Sequence, residues 1–476
     1  MTKTTNRRDF LKILGTASLA AAVLPACRKT GRKTPNVVII LADDLGWGDV
    51  GYNGGHIDTP NMDRLAREGV RMENFHVCPL CSPTRAGLMT GRWPIRYGMG
   101  ESVITPWRRH GLPTTEKTLA DLAAEAGYER RGIVGKWHLG HYRKEFHPLN
   151  RGFTHFYGHY NGALDYFTHI REAERDWHRN GEASRDEGYG TDLLGREAAS
   201  FIEDSPAAQP FFLYVPFSAP HLPLQAKEED IAKYAHIENE RKRIYAAMVD
   251  SLDQAIGKIL TAIDARGIAD DTLVLFFSDN GPIGIAENGP WRGQKGTVYE
   301  GGIRVPAVMR WPARVSGDRS VDDLMGYIDV YPTLKRIFGI TSPDPNPLDG
   351  LDMLDVIRGR AEAPRREWYS YIAQGRPDRT AVCDGSWKLV VVGGSVLDVS
   401  LEKALENSDP KEGPTVELFR LDQDPGETEN IASRHPDITA RLWARLREFR
   451  SFKLEDIPDF QEGRKGFKAP KDWGIK

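Results

Sequence analysis

With 476 residues, the chain is long enough to bury one large core or two smaller ones. A content of 40% hydrophobic and 28% charged residues is typical of a folded globular protein and excludes a largely disordered chain. The formal net charge of −3 is close to neutral for this length, so the composition does not favour nucleic acid as a partner. Any recognition of anions is therefore expected to be local.

The first 34 residues are typical of an export signal and are not expected to join the fold. The sequence "RRDFLK" from Arg7 precedes an apolar run over 13–24, which is about half as long as the roughly 20 residues of a membrane span. This order resembles a twin-arginine (Tat) signal, which carries folded proteins across a bacterial inner membrane. It implies the Tat export machinery as a partner and a location in the periplasm or at the cell surface.

The signal ends in "LPAC", which resembles a lipobox with Cys27 as the lipidated residue. Two outcomes stay open, namely lipid anchoring at Cys27, which would be the only contact with a membrane, and simple cleavage of the signal. The other cysteines are Cys78, Cys81 and Cys383. So few thiols in an exported chain exclude a disulfide scaffold, and a second Cys-x-x-Cys pair for a zinc site is lacking.

Four apolar segments predict buried strands that end in polar side chains. Because their hydrophobicity is continuous and not alternating, both faces of each strand are expected to be covered, as in an α/β sheet. Ligands in open α/β sheets bind beyond the carboxyl ends of the strands, so we expect the four ends to meet at one crevice. In chain order the polar residues are Asp43 and Asp44, Lys136 and His138, His221, and finally Asp279 and Asn280.

The acidic strand ends suggest a cation site. Aspartates that follow strands commonly bond to local backbone, so Asp43 and Asp44 alone would not indicate a metal. Together with Asp279 and Asn280 they offer four oxygen ligands, which suits a hard cation such as Ca²⁺ or Mg²⁺. Two adjacent buried carboxylates repel each other, and a bound cation removes this cost.

Helical segments separate these strands. In "TPNMDRLAREG", Thr59 is expected as the N-cap, Pro60 as the first helical residue and Gly69 as the stop. The segment "TLADLAAEAG" and an apolar stripe over 245–263 predict two further helices.

Beyond about residue 365, short strands around an Asp384-Gly385 turn and a helix from Pro436 predict a small α+β domain. The expected organisation is an export signal over 1–34, a large α/β domain over 35–364 and a small C-terminal α+β domain with a tail over 365–476.

The segment "CPLCSPTRAG" places Cys81 before a predicted helix, with Ser82 as the N-cap and Pro83 as the first residue. Free N–H groups at a helix start attract anions, and Arg85 adds a permanent charge one turn later. Two other interpretations stay open at this point. Cys78 and Cys81 could form a thioredoxin-like redox pair, since a helix start lowers the pKa of a thiol, or a short-range disulfide. Neither explains the acidic strand ends.

The same segment carries a resemblance to a known family. Its "CSPTR" resembles the Cys-x-Pro-x-Arg signature of type I sulfatases, and "GRWPIRYG" continues the pattern. Further segments similar to the family, in family order, extend from Asn36 to about Ala432: "DDLGWGDVG", "DTPNMDRLAREGV", "GKWHLG", "SDNG", "RGQKGTVYEGGIRVP", "DGSWKLV" and "ELFRLDQDPGE". The chain is thus identified as a member of the formylglycine-dependent, arylsulfatase-like sulfatases of the alkaline phosphatase superfamily.

This resemblance implies a fold and an enzyme class. The implied fold is α/β, with an alkaline-phosphatase-like mixed sheet sandwiched by helices and a smaller C-terminal α+β domain. The implied activity is that of a sulfuric ester hydrolase, in which a formylglycine-generating maturation enzyme oxidises Cys81 to Cα-formylglycine. One hydroxyl of the hydrated aldehyde would attack sulfur, and the other would later expel sulfate. Cys78, just outside the signature, is expected to be a small buried residue.

The resemblance also implies the site residues. One divalent cation, most often Ca²⁺, with Mg²⁺ as the second choice, would be held by Asp43, Asp44, Asp279, Asn280 and residue 81. His138 would help to deprotonate the diol, while His221 and Lys295 would protonate or stabilise the leaving oxygen. The full catalytic set is Cys81, Arg85, Lys136, His138, His221 and Lys295, and Arg292 is expected to support Lys295.

The expected substrate is a sulfated small molecule or a sulfated glycan. Two rival functions stay open at this stage. The first is hydrolysis of phosphoesters or phosphonate monoesters, because related enzymes share the fold and the formylglycine. The second is a sulfated-glycan-binding protein whose cysteine is never converted.

Overall fold

The apolar runs of the sequence form the centre of a large mixed sheet. The computed structural model describes residues 34–375, 377–454, 457 and 459–474, so the expected export signal, apart from Thr34, lies outside the described residues. The strands, in chain order, are β1 (Asn36–Ala42), β2 (Val70–Met72), β3 (Phe75–His76), β4 (Arg130–Lys136), β5 (His155–His159), β6 (Ile170–Arg171), β7 (Glu174–Arg175), β8 (His178–Arg179), β9 (Glu182–Ala183), β10 (Phe211–Pro216), β11 (Thr272–Ser278), β12 (Ala307–Arg310), β13 (Arg319–Val321), β14 (Met325–Gly326), β15 (Trp368–Ile372), β16 (Arg379–Cys383), β17 (Trp387–Val392) and β18 (Thr415–Arg420).

Ten of these strands form the main sheet, in the order β13-β2-β12-β11-β1-β10-β4-β5-β8-β9. The four strands predicted from apolar runs are neighbours, β11-β1-β10-β4, and they pair in parallel. In this register Val37 lies opposite both Phe212 and Leu273. The carboxyl ends of the four strands therefore lie along one edge, as the sequence predicted.

Helices cover both faces of the main sheet. Side chains of β1 alternate between two cores, so that Val37, Ile39 and Leu41 join one and Val38 and Ile40 join the other. The helices are α1 (Pro60–Glu68), α2 (Cys81–Thr90), α3 (Leu119–Glu125), α4 (Gly190–Glu203), α5 (Glu228–Lys233), α6 (Glu240–Ala265), α7 (Glu300–Ile303), α8 (Val330–Phe338), α9 (Leu354–Ile357), α10 (Leu401–Glu406) and α11 (Pro436–Arg450).

The C-terminal part forms a smaller antiparallel sheet in the order β15-β16-β17-β18. Helix α11 packs on it, and Leu442 and Leu446 share a core with Val382 and Leu389. This confirms the predicted α/β architecture with a smaller C-terminal α+β element. Because residues from Thr34 onward cluster as one compact unit, the boundary at residue 365 stays a prediction. Among the described residues, none of the helices combines the length and the apolarity needed to cross a bilayer.

Candidate active site

The parallel strands bring their polar ends together at one edge of the main sheet. Strand β1 ends at Ala42 and is followed by Asp43 and Asp44, and the backbone of Asp44 is left-handed, with φ 68°. Residues other than glycine seldom adopt this left-handed conformation, so the turn after β1 has an unusual backbone at Asp44. Strand β11 delivers Asp279 and Asn280 beside it, and all four side chains are buried.

Helix α2 starts at Cys81, with Leu80 as the N-cap residue, so Cys81 is indeed at a helix start. The expectation that Ser82 caps the helix and that Pro83 is its first residue is wrong. The Ser82 hydroxyl donates to the carbonyl of His138 at 2.9 Å and accepts from the amide of Ile104 at 3.0 Å. Its tertiary partners outcompete a local cap.

Cys78 and Cys81 are free thiols, so the short-range disulfide is not formed. Cys78 is buried, as expected, and its thiol donates to the hydroxyl of Tyr327 at 3.0 Å. Burial raises the pKa of the Cys78 thiol to about 12. Burial and the charges of Asp279 and Asp43 raise the pKa of the Cys81 thiol as well. Both shifts oppose thiolate formation, which argues against a redox pair.

Cations surround the acidic strand ends. Lys295 Nζ lies 2.5 Å from Asp44 Oδ1 and 3.4 Å from Cys81 Sγ. The thiol of Cys81 also lies 3.3 Å from Asp43 Oδ1, and Lys136 donates to the second oxygen of Asp43. The side chain of Cys81 therefore lies between a carboxylate and an ammonium group.

Arg85 joins two of the carboxylates. Its Nε and Nη2 donate to Asp279 Oδ2 at 2.9 and 2.8 Å, and Nη2 lies 3.4 Å from Asp43 Oδ2. Its Nη1 donates to the carbonyl of Lys136 at 2.8 Å. The guanidinium and both carboxylates are completely buried, so solvent screens their attraction very little.

The oxygen atoms of this cluster fit a hard cation. Asp44 Oδ2, Asp279 Oδ1 and Asn280 Oδ1 are buried and have no hydrogen-bond partner. Buried polar atoms are normally satisfied, so three unpaired oxygens in one cluster indicate a missing ligand. Potential ligand atoms of Asp43, Asp44, Cys81 and His221 also lie within 4.8 Å of one another. The donor set is dominated by oxygen, which suits Ca²⁺ or Mg²⁺ better than soft metals.

The pKa values of the carboxylates also favour a bound cation. Burial would raise the pKa of Asp43, but Lys136 and further neighbouring cations outweigh it and hold the pKa well below its usual value. Burial and the charge of Asp43 raise the pKa of Asp279 to about 7. A divalent cation beside Asp279 would remove this penalty, because it stabilises the ionised form.

Two histidines face the cluster with defined ring orientations. Nε2 of His138 lies 3.0 Å from the carbonyl of Ile104, so Nε2 carries the proton, and the buried Nδ1 has no partner. Burial, Lys136 and Arg85 lower the pKa of His138, so the ring is neutral and Nδ1 is a free acceptor. His221 directs Nε2 toward Asp44 Oδ2, at 3.7 Å.

All ten site residues predicted from the sequence thus lie in one connected cluster. Sequence reasoning missed the parts played by Ser82 and Ile104, which hold the His138 segment against the start of helix α2. Ile104 acts through its backbone carbonyl and amide. No side-chain pattern in the sequence could have indicated this contact.

Comparison with known proteins identifies the family of the chain. A model of the family described as "Sulfatase" matches residues 35–340. The chain belongs to the sulfatase family. A second model, "N-sulphoglucosamine sulphohydrolase, C-terminal", matches residues 291–395 of this sulfatase.

Individual relatives support the same assignment. Arylsulfatase J of Mus musculus is 33% identical over 89% of this sulfatase and 77% of the relative. N-acetylgalactosamine-6-sulfatase of Mus musculus is 35% identical over 75% of this sulfatase and 71% of the relative. Among solved structures, Ps i-CgsB in complex with k-i-k-neocarrahexaose superposes with a TM-score of 0.80 at 29% identity, covering 91% of this sulfatase and 96% of that chain. The chain is therefore a sulfuric ester hydrolase, and its family generally uses formylglycine and a divalent cation.

Proposed function

We propose that this sulfatase removes sulfate from a sulfated carbohydrate, with residue 81 as a formylglycine nucleophile and Ca²⁺ as the cation. One observation carries the proposal, namely the position of the Cys81 side chain between Asp43 at 3.3 Å and Lys295 at 3.4 Å. As a thiol with a raised pKa, Cys81 is a poor nucleophile. Its buried position among catalytic charges is better explained by a converted side chain.

The charges of the site suit a sulfate monoester. Three carboxylates, Asp43, Asp44 and Asp279, are matched by three cations, Arg85, Lys136 and Lys295. A divalent cation held by these carboxylates and Asn280 would polarise a bound sulfate oxygen. With it the site has an excess of positive charge, so the single negative charge of a sulfate monoester is attracted and the charge of the transition state is stabilised.

The remaining residues are assigned by their geometry. The hydrated aldehyde at residue 81 offers two hydroxyls on one carbon, one for attack on sulfur and one for release of sulfate. His138 accepts a proton at its free Nδ1, because Nε2 is occupied by the carbonyl of Ile104. Lys295 and His221 lie on the open side of the cluster, with side chains 19% and 20% exposed, where they can stabilise the leaving oxygen. Lys136 and Arg85 are fully buried and fix the carboxylates.

A sulfated carbohydrate is the proposed substrate because several of the similar proteins are named for carbohydrates. They include an N-acetylgalactosamine-6-sulfatase and a structure bound to neocarrahexaose. The signal-like segment over 1–34 supports export by the Tat machinery to the periplasm or the cell surface, with an anchor if Cys27 is lipidated. Extracellular polysaccharides would be accessible there.

The proposal can be tested with protein produced together with a formylglycine-generating enzyme. Mass spectrometry of the tryptic peptide over 72–85 should show the aldehyde at residue 81. Initial rates should then be compared on 4-nitrophenyl sulfate and 4-nitrophenyl phosphate. A preference for phosphate would favour the phosphoester hydrolase instead. An unmodified thiol in folded protein, isolated from a host that converts other sulfatases, would favour the glycan-binding alternative.

A further inference from the structure

A second cavity lies outside the cluster described above. Its volume is about 590 Å³, and Trp107, Arg108, Arg109, His110 and Arg143 contribute to its wall. This volume lies within the range of about 300–1,000 Å³ that is typical of small-molecule sites. One acidic residue, Glu462, also lines it. Three arginines against one carboxylate form a basic cavity in a protein whose overall charge is −3. His110 adds no charge at neutral pH, because burial and the charge of Arg108 lower its pKa to about 4.

Two chain segments lead from the active site to the walls of the cavity. The segment leading to Trp107 contacts helix α2 and His138 through the backbone of Ile104. Ile104 and Arg108 are four positions apart in the chain, which corresponds to at most about 14 Å. The second wall follows His138 along the chain to Arg143, and the ring of His141 bonds to the carbonyl of Pro106 at 2.9 Å. The backbone of Arg108 in the cavity wall therefore lies within about 14 Å of Ile104, a distance that an oligosaccharide of a few units can span.

The cavity contains groups that bind sulfate. Arg109 is exposed and lies over the ring of Tyr142, with 5.2 Å between the guanidinium carbon and the ring centroid. Arg143 is exposed as well, and its contact to Glu145 is a long 3.3 Å between two half-exposed side chains. Exposed pairs of this kind contribute little, so the guanidinium can turn to an anion. Nδ1 of His110 is buried and has no hydrogen-bond partner.

One aromatic side chain in the cavity wall, Trp107, and one beside the wall, Tyr142 under the guanidinium of Arg109, offer surface for a sugar ring. The indole of Trp107 donates to the carbonyl of Phe460 at 3.0 Å, which holds the ring in place. The side chain of Tyr142 is an exposed large hydrophobic group, at 45% exposure. Rigid aromatic surface beside guanidinium groups suits a ligand that is both cyclic and anionic, because the rings contact its apolar faces and the guanidinium groups bind its anions in a forked geometry.

We propose that this cavity is a subsite for a second sulfated sugar unit of an oligosaccharide whose first unit occupies the active site. The inference rests on the proposed function, since it takes a sulfated carbohydrate as the substrate. Arg109 and Arg143 bind the second sulfate, and Trp107 and Tyr142 contact the sugar ring. Binding at two linked places raises the affinity for a chain over that for a single sulfated sugar. The enzyme is therefore selective for oligosaccharides that carry sulfate on neighbouring units.

The test uses the double variant Arg109→Ala/Arg143→Ala, because both side chains are exposed and their removal should not disturb folding. The matched control, Arg241→Ala/Arg314→Ala, removes two exposed arginines that do not line the cavity. The probe is a fluorescein-labelled carrageenan hexasaccharide, and its binding is measured in a Cys81→Ala background so that it is not consumed. The same hexasaccharide after desulfation, and polyglutamate, are the comparison ligands. Turnover of 4-nitrophenyl sulfate is measured in the background that retains Cys81.

We expect the cavity variant to weaken hexasaccharide binding by about tenfold or more, while kcat/KM for 4-nitrophenyl sulfate changes by less than about twofold. The control variant should change neither. Unchanged binding in the cavity variant, an equal loss in the control, or equal binding of polyglutamate would overturn the subsite. If the enzyme with converted residue 81 releases no sulfate from the hexasaccharide or from 4-nitrophenyl sulfate, but the cavity variant still loses hexasaccharide binding, the proposed function fails and the anion-binding cavity stands.

Discussion

Asp279 accepts both hydrogen bonds from Arg85 on one oxygen, Oδ2, and its other oxygen, Oδ1, has no partner. The guanidinium thus fixes the carboxylate with its free oxygen available to a cation. A lysine at position 85 could supply the positive charge, but it has a single nitrogen and cannot hold the carboxylate oxygen with two donor nitrogens. We therefore expect Arg85→Lys to weaken cation binding by about tenfold and to lower kcat, because Asp279 would lose its orientation. Cation affinity measured by calorimetry tests this, with the exposed Arg336→Lys as control. Unchanged affinity would contradict it.

Asp279 itself should be needed for the cation. Asp279→Ala removes the unpaired oxygen, so the bound metal measured by mass spectrometry should fall well below one ion per chain. Chelation of the wild type should abolish turnover of an aryl sulfate, and Ca²⁺ should restore it better than Mg²⁺, because the cluster offers several protein oxygens instead of the waters that Mg²⁺ retains. Activity that survives both the substitution and chelation would remove the cation from the mechanism.

Residue 81 is expected to be the nucleophile. Cys81→Ala and Cys81→Ser should both abolish turnover, since alanine has no nucleophile and serine lacks the second hydroxyl that expels sulfate. The free energy of unfolding should change by only about 1 kcal/mol in either variant, because the substitution removes or replaces a single sulfur atom. Rates on 4-nitrophenyl sulfate and urea denaturation provide the two measurements. Wild-type rates in Cys81→Ala would refute the assignment.

The loop that carries Lys295 is held by the C-terminal part of the chain. Arg292 donates to the carbonyl of Glu427 at 2.8 Å and lies over the ring of Tyr299 at 3.9 Å, and Arg379 donates to the carbonyl of Gly296. We expect Lys295→Ala to lower kcat by about 10²-fold through lost charge stabilisation. Arg292→Ala should lower kcat by about tenfold through misplacement of the loop, with little change in KM.

Arg292→Lys distinguishes positioning from simple damage to the fold. It should restore part of the rate, because the ammonium can still donate to the Glu427 carbonyl. If Arg292→Ala has no effect, or if it lowers kcat by the same factor in the Lys295→Ala background as in the wild type, Arg292 does not act through Lys295.

A pH-dependent contribution to stability is expected from Glu197 on helix α4. Burial would raise the pKa of Glu197, but hydrogen bonds from His155 and Arg179 outweigh it and lower the pKa from 4.5 to about 2. The stabilisation is therefore complete above pH 4.5 and is lost as the pH falls toward 2, since the unfolded chain binds the proton first.

The size of this effect is limited by solvent, since the Glu197 side chain is 15% exposed and Arg179 is 45% exposed. We expect Glu197→Gln to lower the free energy of unfolding by about 1–2 kcal/mol at pH 7 and by about half of that or less at pH 3. Urea midpoints across this pH range measure the difference, with the exposed Glu203→Gln on the same helix as control. An equal difference at both pH values would contradict the assignment.

The meeting of the acidic strand ends could be predicted from the sequence, because each central strand is a continuous apolar run. The continuous apolar runs that precede Asp43 and Asp279 indicate buried parallel strands, and parallel strands place their ends on one edge. The contact of Lys295 with Asp44 joins residues 251 positions apart, so only the motif context could suggest it.

The errors and omissions have an equally physical cause. Ser82 followed by Pro83 has the local pattern of a helix cap, but the Ser82 hydroxyl finds better partners in His138 and Ile104. Such a choice depends on distant chain segments. The carbonyl that orients His138 is the backbone carbonyl of Ile104. A backbone group is present at every position, so the residue types do not indicate this contact.

If Cys81 is converted as proposed, its burial in the folded chain, where the side chain is 1% exposed, determines whether conversion precedes folding. A modifying enzyme must take the thiol into its own active site, and the folded chain does not present it. Oxidation is therefore expected on the nascent chain, before the sheet closes around residue 81. If export follows the proposed Tat route, which accepts folded cargo, the maturation enzyme is required in the cytoplasm, and cells that lack it there would secrete an inert protein.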